Sequence, residues 1–157
     1  MDVRPAVEAE IDELARVWYD GWHDAHVQIV PAQLTQVRTL ESFRKRLQSA
    51  LTNIRVIGPT GAPYAFSIIK DDEIYQLYVS SAYRGSGTAA ALIADAETQM
   101  AKRGIRAAWL ACAVGNDRAA RFYEKRGWSR VGVISYDCET TAGMFPLDVW
   151  RYEKVLE

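Results

Sequence analysis

Cysteine is scarce: Cys112 and Cys138 are the only two in 157 residues. Two thiols make no disulfide framework, and their spacing is not that of a metal-ligand pair, so reduced cysteines in a cytoplasmic protein are expected. Long hydrophobic runs are missing too. Every apolar stretch is interrupted within a few residues, which excludes a bilayer-spanning helix. The opening MDVRPAVEAE has neither the basic start nor the apolar core of a secretion signal, and none is expected. Nor is there an excess of charge of one sign. With 19 Lys and Arg against 20 Asp and Glu, the net charge is −1, and no basic footprint for nucleic acid or an anionic membrane surface exists. Repeats, low-complexity segments and linkers are absent. What remains is an ordinary globular balance, 49% hydrophobic and 25% charged. It suits a single domain over residues 1–157 with one core.

VRPAVEAEID begins with a short apolar–polar alternation and runs into a helix, whose stripe is Leu14, Val17, Trp18, Trp22 and His26. Pro31 breaks that region, and LESFRKRL (40–47) starts a second helical pattern. NIRVIG (53–58), PYAFSIIK and EIYQLYV read as strands, the last two separated by Asp71 and Asp72. After Val79 come a polar loop, glycines and a long Ala-rich helix that stops near Gly104, with cations in its last turn. RAAWLACAV (106–114) reads as a strand and NDRAARFYEKRGW (116–128) as a helix with an Asn cap and a Gly stop. RVGVISY and PLDVWRYEKVL complete the set as strands. The order predicts one mixed sheet with helices on its faces.

The stretch YRGSGTAAAL (83–92) supports two phosphate cradles. From Gly85 it reads G-x-G-x-x-A, a dinucleotide fingerprint. That fingerprint needs a strand directly before it and an acid at the end of the next strand. Here SSAYR intervenes after Val79, and the next strand ends LACAV with no carboxylate. From Arg84 it reads R-x-x-G-x-A. Glycines at a helix start bring main-chain N–H groups close to a diphosphate, and Arg84 adds a cation. Asn116 and Tyr123 support the second reading. They stand seven residues apart, on one helical face and about 10 Å apart along the axis, so one side chain can hold a long cofactor while the other reaches its far end.

LYVSSAYRGSGTAAAL (77–92) resembles the acyl-CoA-binding motif of the GNAT superfamily of N-acetyltransferases. NDRAARFYEKRGW resembles that superfamily's next motif, with Asn116, Ala119, Tyr123 and Gly127 in register and Trp128 where Phe is common. Ala89 stands where many members have glycine. The resemblance implies an α/β (α+β) GNAT fold: a single mixed, mostly antiparallel sheet, helices on both faces, and a splay between the fourth and fifth strands. It implies acetyl-CoA as cosubstrate and no metal. The diphosphate would lie on Arg84, Gly85, Ser86, Gly87, Thr88 and Ala89, and the pantetheine arm along Leu77, Tyr78 and Val79 and against Asn116. Tyr123 would stand near the sulfur.

The chemistry expected is direct attack by an amine. A protonated amine of pKa about 10.4 must first lose a proton. The resemblance offers Glu73 as the base, with a water chain as the alternative. Strand alternation puts Glu73, Tyr75, Leu77 and Val79 on one face. Val79 N–H is the oxyanion donor that the resemblance implies, and Tyr123 suits a general acid for the departing thiolate. Trp22 and His26 are the candidates for the acceptor wall, with Tyr136, Phe145 and Trp150 opposite by chain order. His23 and His26 lack a third metal ligand, and Cys112 lacks a histidine to activate it. The acceptor is expected to be a primary amine of a small molecule or peptide. Superfamily members often dimerise, which leaves a homodimer open. The rivals are a non-catalytic acyl-CoA-binding module and a dinucleotide-dependent oxidoreductase.

Overall fold

The computed structural model describes residues 1–156. Strands β1 (Val3–Pro5), β2 (Ile54–Ile57), β3 (Ala65–Lys70), β4 (Glu73–Val79), β5 (Ala107–Ala113), β6 (Ser129–Thr140) and β7 (Gly143–Val155) form one sheet in the order β1-β2-β3-β4-β5-β7-β6. Every neighbouring pair is antiparallel except β4–β5. The helices are α1 (Ile11–His26), α2 (Ala32–Val37), α3 (Leu40–Ala50), α4 (Thr88–Lys102) and α5 (Asp117–Lys125). They cover both faces, because each carries one apolar stripe and the central strands are apolar on both sides.

On one face, α1 and α3 bring Leu14, Trp18, Phe43 and Leu47 onto Ile54, Val56 and Phe66. On the other, α4 and α5 bring Ile93, Ala96, Met100 and Ala120 onto Leu110 and Tyr152. The 3.6-residue spacing seen in the sequence accounts for both stripes. Thr39 caps α3 by accepting from Ser42 N–H at 3.1 Å.

Three details differ from the sequence expectation. The break at Pro31 is present, between α1 and α2, but a further six-residue helix, α2, stands before the helical pattern of Leu40; it is too short to show a period. The β6–β7 hairpin extends well beyond RVGVISY and PLDVWRYEKVL, out to the pair Thr140↔Gly143. Its outer part sends only Cys138 and Phe145 into the α1–α3 core and is otherwise mostly exposed, which leaves too sparse an apolar pattern to read.

The third difference moves functional side chains. β4 pairs with β3 as Ile69↔Ile74 and then Ile68↔Gln76, so Tyr75 is an extra residue in the ladder. Such a bulge resets the alternation. Glu73, Tyr75 and Tyr78 therefore belong to the α1–α3 face, where Tyr75 and Tyr78 pack on its core. Leu77 and Val79 pack on the α4 side. The expectation that Glu73, Tyr75, Leu77 and Val79 share one face is corrected accordingly.

Candidate active site

β4 and β5 run parallel but pair only at Glu73↔Trp109. Beyond that point β4 stays with β3, while β5 follows β7 from Ala107↔Val155 to Ala113↔Val149. A wedge opens between them, occupied by a cleft of about 520 Å³. Ser80 N–H donates to Tyr64 O at 2.8 Å. The next pair inward, Ala65↔Val79, is therefore of the kind without mutual hydrogen bonds, and its peptide groups turn away from each other. The N–H and C=O of Val79, and by the same alternation those of Leu77, face the wedge.

At the wide end, Gly87 precedes α4 with φ 85°, a left-handed conformation that glycine adopts without strain. Ala91 N–H reaches Gly87 O at 3.0 Å, which leaves the N–H groups of Thr88, Ala89 and Ala90 as the unsatisfied first turn of the helix. A Cβ on Gly85 or Gly87 would meet nothing within 4 Å, so the approach to these donors is open. Arg84 lies alongside, its Nη2 3.1 Å from Asp24 of α1, and Arg118 Nη2 is 3.3 Å from the same carboxylate. These donors and cations fit the diphosphate of coenzyme A. Ser86 does not line the cleft. Its hydroxyl donates to Tyr83 O and lies 2.7 Å from Thr88 Oγ1, bracing the loop from behind.

Asn116 caps α5, its Oδ1 accepting from Ala119 N–H at 3.4 Å. The cap uses the oxygen and leaves the amide NH₂ for a ligand. Tyr123 lines the cleft. Burial, with Cys112 and Tyr78 nearby, pushes its pKa up, so it keeps its proton. Cys112 is 4% exposed, and burial pushes its thiol up to about 12, as expected for a packed strand cysteine.

At the narrow end, Glu73 is 7% exposed and accepts a hydrogen bond from Tyr136 OH at 2.7 Å. Burial raises its pKa, and the Tyr136 bond opposes that rise. Trp22 and His26 line the α1 wall, their rings stacked at 4.9 Å. His26 Nδ1–H donates to Trp22 O at 2.8 Å, and burial lowers its pKa to about 4, so the imidazole is neutral at neutral pH. Among the described residues no three His, Cys, Asp or Glu side chains are grouped to hold a metal.

Of the wall expected opposite, Tyr136 is present. Phe145 instead packs into the α1–α3 core, and Trp150 joins the other core beneath Arg130. Alternation along β7 puts Trp150 on the opposite face, while Phe145 shares the face of Leu147 and Val149 but lies farther out along the hairpin, beyond the cleft. The sequence reading missed Arg38 and Arg46, which both line it. Arg46 carried a signal: Phe43, Arg46, Leu47 and Ala50 form an i, i+3, i+4, i+7 stripe with a cation in it. Arg38, in the short connection to α3, carried none.

Residues 63–128 match the model of the acetyltransferase (GNAT) family. Over 113 residues the chain is 33% identical to an uncharacterised N-acetyltransferase of Mycobacterium tuberculosis, spanning 68% of this chain and 69% of that protein. It is similar in structure to a GCN5-related N-acetyltransferase from Rhodopseudomonas palustris, with TM-score 0.78 and 20% identity over 99% of this chain and 95% of the other. It is also similar to the PaiA N-acetyltransferase of Thermoplasma acidophilum, solved in complex with coenzyme A. There the TM-score is 0.66 and the identity 20%, over 98% of each chain. At that identity the structural likeness is one of fold.

Proposed function

The chain belongs to the GNAT family of acetyltransferases, and from that premise we propose that it transfers the acetyl group of acetyl-CoA to a primary amine by direct attack. The observation that carries the proposal is the wedge between β4 and β5. The free N–H of Val79 faces it, Tyr123 lines it, and Glu73 lies at its apex. The open first turn of α4 with Arg84 would take the diphosphate, and the free edge of Leu77–Val79 with the Asn116 amide would take the pantetheine arm.

Acetyl-CoA, when bound, supplies an electrophilic thioester carbonyl and a thiolate leaving group. Glu73 takes the proton that the amine sheds, and burial makes its carboxylate more basic than a free one. Val79 N–H donates to the carbonyl oxygen as negative charge gathers there. Tyr123, kept protonated by burial, gives its proton to the departing sulfur.

The test is acetyl-CoA-dependent release of free thiol with a panel of amines, with Tyr123→Phe alongside the parent. Amine-dependent release is expected, and the variant should lose about 10²-fold or more in kcat with little change in affinity for acetyl-CoA. Binding of acetyl-CoA with no amine turned over would instead support an acyl-CoA-binding module. A Tyr123→Phe variant of undiminished kcat would remove the acid assignment.

A further inference from the structure

The end of the cleft away from the glycine loop holds two arginines that the chemistry above does not use. Arg38 is 4% exposed. One of its terminal N–H groups donates to the main-chain carbonyl of Glu139, while its Nε–H is buried without a partner. Among the described residues no carboxylate forms an ion pair with it, and burial together with the neighbouring Arg46 lowers its pKa to about 10. Arg46 lies 4.3 Å over the Trp18 ring and donates to Tyr75 OH at 2.8 Å. Its Nε is 3.6 Å from Glu139 Oε1, too far for a hydrogen bond, and is likewise buried and unpaired. Glu139 itself is 51% exposed, so solvent weakens its hold.

A buried guanidinium with no carboxylate is costly, and a second cation beside it adds to the cost. Both arginines line the cleft, and an anion entering it would offset the two charges. Its position relative to the chemistry follows from β4. Glu73 and Tyr75 stand two residues apart on one face, about 7 Å along the strand, and Arg46 is bonded to the hydroxyl of Tyr75. Glu73, Arg38 and Arg46 all line the one cleft, so a small acceptor held in it can meet the base and the cation pair together. A polyamine would bring a further positive charge to this end, which the two arginines repel.

We propose that the acceptor is an amino carboxylate, an amino acid or a small molecule like one, with its carboxylate on Arg38 and Arg46 and its amine toward Glu73. This rests on the amine acetylation proposed above. It assigns to Arg38 and Arg46 the choice of acceptor, with no part in holding coenzyme A.

Two measurements test it. In the first, the CoA-bound protein is melted with N-acetylated amino acids, which keep the carboxylate and lack the amine, and with their carboxamides. Only the acids are expected to raise Tm, and Arg38→Met or Arg46→Met should abolish the rise. In the second, amino acids, their amides and polyamines compete as acceptors in thiol release. The acids should exceed their amides in kcat/KM by about 10- to 100-fold. Each arginine variant should remove that advantage through KM while leaving CoA affinity unchanged. Arg38→Lys keeps a charge on a stem of similar length and serves if Arg38→Met does not fold. Amides or polyamines that match the acids, or an equal Tm rise from acids and amides, overturn the inference while leaving acetylation standing. An acid-specific Tm rise with no amine turned over sinks acetylation and leaves the carboxylate site in place.

Discussion

Tyr136 donates a hydrogen bond to Glu73, and in the proposed reaction that bond sets the pH behaviour. Because the Tyr136 hydroxyl stabilises the ionised carboxylate and burial opposes it, removing the hydroxyl should raise the pKa of Glu73 further. Tyr136→Phe is therefore expected to shift the acidic limb of kcat/KM to higher pH, and Glu73→Gln to remove that limb with about 10²-fold or greater loss. A limb unmoved in both variants would transfer the base to a water chain. Tyr123 and the capping Asn116 were legible as a pair because a seven-residue spacing on one helix marks them, and both line the cleft; Glu73 was offered only by resemblance, and the strand alternation drawn for it fails at the bulge. The Tyr136–Glu73 bond was not legible, since its partners are far apart in sequence, and the bulge at Tyr75 leaves no trace in an apolar–polar pattern. Arg38 shows the limit most plainly: what distinguishes it is a missing partner, a property of three-dimensional surroundings alone.

Among the elements, the start of α4 couples backbone conformation to ligand binding. Gly87 holds φ 85° with open space where a side chain would project, so Gly87→Ala strains the backbone without a clash. About 1–2 kcal/mol of stability should be lost in urea denaturation, and coenzyme A should bind more weakly as the Thr88–Ala90 donors shift. Unchanged affinity would mean that those N–H groups do not hold the diphosphate. Elements with a strong period or a cap, such as α1, α3, α4 and α5, were readable from the chain because local chemistry determines them. The outer β6–β7 hairpin was not, because cross-strand pairing carries most of it and only Cys138 and Phe145 reach the core.

For the whole molecule, one buried and one partly buried group set the acid side of stability. Glu10 is fully buried and accepts from Arg4 and from Val7 and Gly61 N–H, tying β1, α1 and the β2–β3 turn together. Those bonds, Arg4 first, lower its pKa from 4.5 to about 2. His26 falls from 6.5 to about 4, chiefly by burial. Both are depressed in the folded state, so the unfolded chain binds more protons and acid destabilises. Stability should decline first between about pH 6.5 and 4 through His26, then between about 4.5 and 2 through Glu10. Glu10→Gln should flatten only the lower window in urea titrations against pH. The single parallel pair Glu73↔Trp109 makes the sheet two plates, β1–β4 and β5–β7, joined at one end like the covers of a book. Main-chain groups along the free inner margin are sealed by neither plate, so amide protons of Leu77 and Val79 should exchange with solvent faster than those of Tyr78, which pairs with Phe66. A cofactor laid between the plates becomes their binding, and its arrival should be read as slowed exchange at those two amides while Tyr78 changes little.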